Sequence, residues 1–185
     1  PGQRYYARAL VFTGLMLLGK PHFAVLALPM GYMTFRAKNW GAFRDYRLYL
    51  FGVLAVLPAI LYQAYSHSLI AGSGISFAQP FLGDHGLLLR PGFWGRMGVS
   101  ILQWNVGPVV CVLAVAGLFA GGGGKYRWLG AVWLLAAVAQ LVLMPGGNAV
   151  NSYYQMAFVP PAIVLTAPLV TAMLRRRRWA WIGVV

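Results

Sequence analysis

Residues 148–161 place Asn151, Tyr153, Tyr154 and Gln155 immediately ahead of an apolar segment. Amide and phenol groups at such a boundary can hydrogen-bond a sugar or a lipid headgroup while the rings pack against it. An interfacial aromatic belt accounts equally well for the tyrosines, and less well for the amides. Lys20 stands inside an apolar stretch beside Pro21 and His22. Its ammonium is suited to an anionic headgroup or phosphate, and snorkelling to the interface is the competing account. His22 either adds a hydrogen bond at the same apex or is an ordinary interfacial imidazole. Asp84, His85 and Arg90 bring an acid, an imidazole and a fixed cation into one connection. They are a second candidate binding group, with three solvated loop residues as the alternative. Two potential ligands adjacent in sequence do not make a metal site, so none is expected.

Several chemistries are excluded by what the chain lacks. Its only acids are Asp45 and Asp84, and Asp45 lies among basic neighbours. A two-carboxylate glycosidase pair is therefore absent from this sequence, and no acid lies in an apolar run to serve a transmembrane proton relay. Glycines 121–124 form a run in a turn with no strand before it, unlike a phosphate-binding loop. Cys111 is the only cysteine and sits in an apolar run, so neither a disulfide nor a cysteine metal site can be built. The formal charge of +13 is distributed as short clusters between apolar runs, which argues for membrane topology and against nucleic acid.

The elements that must position these groups are membrane helices. The chain is 60% hydrophobic and 9% charged, with mean hydropathy +0.68, against roughly 25% charged residues in a soluble domain. Its apolar runs approach or exceed the roughly 18 residues that cross hydrocarbon as a helix, and no alternating strands announce a barrel. The expected fold is all-α, a polytopic transmembrane helical bundle in one domain. Helices are expected at about 9–19, 21–35, 48–66, 98–120, 128–144 and 156–174, with another starting at 179. A lysine at mid-bilayer is unfavourable by several kcal/mol unless it snorkels or lines a polar cavity, and Pro21 removes a helical hydrogen bond there. Two short arms meeting near Lys20 therefore fit better than one span. Outer loops are expected at 67–97, with Phe77, Phe81, Phe93 and Trp94 dipped into the interface, and at 145–155. This threading leaves Lys20, Arg90 and Arg96 outside and the other twelve of the fifteen basic residues in the cytoplasm, as the positive-inside rule requires. A multi-pass cell-membrane protein with its site on the extracytoplasmic face is implied. The chain starts with Pro1 and stops in an apolar run, WAWIGVV, which is read as a piece of a larger membrane protein.

Two segments carry a family resemblance. GLMLLGKPHFAVLALP, residues 14–29, resembles the small-and-leucine segment, Lys-Pro and proline-terminated apolar run of bacterial relatives of the dolichyl-phosphate-mannose protein mannosyltransferases. NSYYQMAFVPP, residues 151–161, is similar to their later polar residue, Tyr-Tyr pair and proline. Order and spacing agree over most of the chain. Asn151 stands in the region where many relatives carry a histidine. These enzymes, which include the lipid A aminoarabinose transferases, are C-superfamily membrane glycosyltransferases. The resemblance implies sugar transfer from a polyprenyl-phosphate donor to a lipid, glycan or protein acceptor outside the cytoplasm, among membrane lipids. It implies contact of Lys20 with the donor phosphate, and places Asn151, Tyr153, Tyr154 and Gln155 along the donor or acceptor cavity. The family's catalytic aspartate lies in an early outer loop that has no counterpart here, so no catalytic residue is assigned, and no cofactor either. A permease or flippase component and a non-catalytic structural subunit are the rival readings.

Overall fold

The computed structural model describes residues 2–70, 84–120 and 128–175. Residues 71–83, 121–127 and 176–185 lie outside the described residues, and with them Phe77, Phe81, the glycine-rich basic turn, most of the arginine run and the helix expected at 179. Every described element is helical, with no strand among the described residues, so the chain is all-α. Its contacts divide it into two compact units, Pro1–Phe77 and Ala78–Val185.

The first unit holds α1 (Gly2–Gly19), α2 (Ala27–Lys38) and α3 (Tyr46–Ile70). Helix α1 ends because Lys20 leaves the helical region (φ −146°, ψ 88°) ahead of Pro21, which opens a 3-10 turn, Pro21–Leu26. The proline ring disfavours helical geometry at the residue before it. Helices α1 and α3 pack through Leu17, Ala55 and Ala59, with Leu10, Met16 and Phe51 around them. Two alanines one turn apart let the backbones approach closely. Near the other end of this pair, the Tyr6 hydroxyl donates to the Arg47 carbonyl (2.8 Å). Asn39, at φ +51°, terminates α2, and the rings of Phe35, Trp40 and Phe43 gather there at 5.6 to 6.0 Å. Asp45 accepts the Arg47 N–H (3.1 Å) at the start of α3 and pairs with Lys38. The Lys38 hydrogen bond, then the Arg47 N–H, hold its carboxyl below the usual carboxylate range.

The second unit holds α4 (Pro91–Ser100), α5 (Pro108–Ala120), α6 (Leu129–Leu143), α7 (Pro145–Val150) and α8 (Val159–Arg175). Residues 98–120, expected as one helix, are instead divided between α4, a π turn (Ile101–Asn105) and α5. The runs Pro91–Asn105 and Pro108–Phe119 are bent by 105°. Gly107 adopts φ +86°, which a residue with a side chain rarely takes, and Pro108 supplies no N–H to continue the ladder. The described part of the connection expected at 67–97 is mostly helical, with Asp84 and Arg90 as the non-helical residues at either end of the turn His85–Leu89. Helix α3 runs on to Ile70, and Pro91, at the first helical position, starts α4. The stretch expected as a loop at 145–155 is α7 followed by a 3-10 turn, Ser152–Phe158, leading into α8.

Helix α8 packs against α5 and α6 with almost no spacing. A Cβ on Gly117 would lie 1.9 Å from the Leu165 carbonyl oxygen, and one on Gly130 would lie 2.7 Å from the Leu165 side chain. Ala114, Ala162 and Leu165 complete that core, while Phe93, Met97 and Leu141 form a second cluster. Among the described residues two helical runs, Tyr46–Leu69 and Ser152–Leu174, are long and apolar enough to cross a membrane, or three if the bent pair is one span. Tyr5–Gly19 and Leu129–Leu143 are shorter apolar helices. Val53, Ile60 and Leu61 of α3 are exposed, an apolar surface compatible with hydrocarbon around it.

Candidate functional site

Four amides of the second unit, Asn105, Gln140, Asn148 and Gln155, gather around the turn that bears the tyrosine pair. Proline 145 starts α7 and Asn151 ends it, in extended geometry (φ −128°, ψ 112°), so the chain turns sharply before the Ser152–Phe158 turn. The Asn151 carbonyl accepts the Tyr154 N–H (3.2 Å) and its own N–H donates to the Gly147 carbonyl (3.0 Å). This turn projects Tyr153 and Tyr154 side by side, their rings stacked at 4.3 Å and 28°. Tyr153 is exposed and Tyr154 half-buried. A stacked pair of this kind offers a flat apolar face with hydroxyl groups at its edge, which suits the ring of a sugar.

Gln155 points the other way. It is 1% exposed, and its amide nitrogen donates to the Asn148 carbonyl (3.2 Å) and to Met97 Sδ (3.2 Å). Its Oε1 accepts from Asn105 Nδ2 (3.3 Å), which also reaches the Ser100 carbonyl (3.2 Å). Every polar atom of the Gln155 side chain thus meets a protein group, and what it positions is the turn that presents the tyrosines. Asn148, equally buried, donates to the Met144 carbonyl (2.8 Å) and holds α7. Gln140 on α6 donates to the Tyr154 carbonyl (3.1 Å). Its Oε1 is buried with no hydrogen-bond partner among the described residues. A buried acceptor left in this state is unfavourable by about 1–3 kcal/mol. Asn105, Gln140 and Asn148 were not legible as a group, since they come from three elements. The available signal was that Asn105 and Gln140 are amides inside apolar runs.

The other candidates lie apart from this cluster in sequence. Lys20 and His22 belong to the first unit, at the break between α1 and the Pro21–Leu26 turn, both half-buried. The Lys20 carbonyl accepts the Phe23 N–H (3.0 Å), and the His22 ring lies 4.7 Å from that of Phe23. Close by, an apolar cleft of about 410 Å³ opens among α1, α2 and α3, lined by Met16, Phe23, Met30 and Phe51 among others. Asp84, His85 and Arg90 bracket the 3-10 turn His85–Leu89 in the second unit. Asp84 precedes the turn, its carbonyl accepting the Leu87 N–H (3.1 Å), and Arg90 ends it. All three side chains are exposed, and no ion pair joins them among the described residues. No cluster of metal-ligating side chains occurs among the described residues.

The structure thus brings Tyr153 and Tyr154 together over a buried amide network, and brings Lys20 beside His22. No protein-family model, curated protein or solved structure matches the chain.

Proposed function

We propose that the chain forms the membrane part of a glycosyltransferase that takes a sugar from a polyprenyl-phosphate donor and passes it to a lipid, glycan or protein acceptor outside the cytoplasm. The observation that carries this reading is the stacked Tyr153–Tyr154 pair at the polar end of the apolar run Ser152–Leu174, held by buried amides. Such a platform suits a sugar at an interface whose neighbouring hydrocarbon accepts a prenyl tail. The basic clusters orient the chain with its arginine-rich connections in the cytoplasm, as a multi-pass protein of the cell membrane. For Lys20, in the first unit, the family resemblance implies contact with a donor phosphate, whose negative charge an ammonium offsets. The family resemblance assigns the base that activates the acceptor to an aspartate of an early outer loop, and neither Asp45, paired with Lys38, nor Asp84 is given that role.

The experiment is transfer of radiolabelled sugar from polyprenyl-phosphate donors in membranes carrying the full-length parent protein at matched insertion. Lys20→Ala is expected to lower transfer about a hundredfold, the scale of losing one charge-stabilising donor. Tyr153→Phe keeps the ring and lowers it less. Full transfer by Lys20→Ala would remove the phosphate role.

A second reading, a permease or flippase component, is favoured by the 105° bend at Gly107 and by Gln140 and Asn105 inside apolar runs. Broken helices and buried polar groups at their breaks are what transporters use to hold a cargo. No sugar transfer from any donor, together with movement of a lipid or solute in vesicles carrying the protein, would establish that reading instead.

A further inference from the structure

A second cavity lies in the second unit where α4 runs into the π turn. Its volume is about 480 Å³, and it is lined by Gly95, Arg96, Val99, Ser100, Trp104 and Ser152. Arg96 and Ser100 are four residues apart on α4 and so share a face. The π turn that follows re-aims the chain, and places Trp104 at the same cavity. Ser152 closes it from the start of the turn that bears the tyrosines. The lining therefore combines a guanidinium, two hydroxyls and an indole that is 79% exposed.

Charge bears on what fills it. Arg96 has no hydrogen bond or ion pair among the described residues. The chain has only two acids against fifteen lysines and arginines, and Asp45 is taken by Lys38. Within these 185 residues that leaves Asp84 as the one other acid, so the positive charge at Arg96 is available to an anion. A guanidinium matches the oxygens of a phosphate in pairs, and serine hydroxyls suit the remaining polar atoms of a headgroup. Trp104 is the residue type that settles at the level of lipid headgroups. Val99, in the lining, is 50% exposed and offers an apolar surface that a free phosphate would leave uncovered.

We propose that this cavity binds the phosphate headgroup of an anionic phospholipid, with Arg96 on the phosphate, Ser100 and Ser152 on headgroup oxygens, and acyl-chain carbon against Val99. The site depends on the chain residing in a membrane and not on glycosyl transfer, so its test and the transfer assay can fail separately.

The test uses the full chain in mixed micelles titrated with phosphatidylglycerol, phosphatidylcholine or glycerol phosphate, with the thermal unfolding midpoint as readout. Phosphatidylglycerol is expected to raise the midpoint saturably and phosphatidylcholine to do so much less. Arg96→Gln should weaken the apparent affinity for phosphatidylglycerol about five- to tenfold, and Arg96→Lys, which keeps the charge but not the paired donors, should weaken it less. Arg44→Gln, an exposed cation of the first unit, should leave the titration unchanged. Equal stabilisation by the two lipids, or an unaltered titration in Arg96→Gln, overturns the proposal. An Arg96-dependent shift of equal size with glycerol phosphate assigns the cavity to free phosphate and overturns the lipid.

Discussion

Gln155 shows how a side chain can matter to a site without facing it. At the polar edge of an apolar segment it is a natural partner for a sugar hydroxyl, as Asn151 and the tyrosines are. In the folded chain its three hydrogen bonds go to Asn105, Met97 and Asn148, and it is closed off from solvent. Replacing it with leucine keeps much of the volume but takes this donor from the Asn148 carbonyl and one acceptor from the Asn105 amide. Gln155→Leu is expected to destabilise the second unit by about 1–3 kcal/mol, the penalty for buried polar groups that lose their partner. Thermal unfolding of the detergent-solubilised protein checks this, and an unchanged midpoint would show that the network contributes little. Tyr153 and Tyr154 differ from Gln155 because adjacent residues in a tight turn can be brought side by side by local geometry alone. Burial of Gln155 required partners 50 and 58 residues away.

At the scale of elements, the second unit depends on two glycines that the pattern of apolar residues does not distinguish from any others. Gly117 and Gly130 face Leu165 at distances where a methyl group has no room. Close backbone approach of this kind is how membrane helices gain packing when the surrounding hydrocarbon removes the hydrophobic driving force. Gly117→Ala places its Cβ against backbone instead of a side chain that could swing away. It is expected to separate α5 from α8 and to lower stability by about 1–3 kcal/mol or more, as overpacking does. Far-UV circular dichroism with proteolysis of the solubilised variant checks this: helicity is retained while cleavage accelerates, and wild-type resistance to protease would contradict the close contact. The same scale explains the division of 98–120. Pro108 after Gly107 is a local stop signal, but apolar residues on both sides of it satisfy a hydropathy window regardless.

For the whole molecule the distribution of charge sets the expectation. The proposed orientation puts the Asn39–Arg44 turn on the cytoplasmic side and the end of α7 outside. In a Cys111→Ala background, Val150→Cys should react with an impermeant maleimide added to intact cells, and Trp40→Cys only after permeabilisation. Both wild-type side chains are exposed, so burial does not limit labelling. Labelling of Trp40→Cys from outside would reverse the topology and with it the proposed face of the site. The sequence by itself determined the helical class, because apolar runs with so few charges leave the backbone no partner but itself once water is excluded. It also displayed the polar residues flanking α8 and the proline at Lys20, since these are local in the chain. Only the tertiary structure decided that Gln155 is enclosed, that Gln140 is left with an unanswered acceptor, and that Arg96, Ser100, Trp104 and Ser152 line one cavity. Those outcomes depend on which helix faces pack together and on the turn at Gly107, and such contacts between distant residues leave no period or motif in the chain.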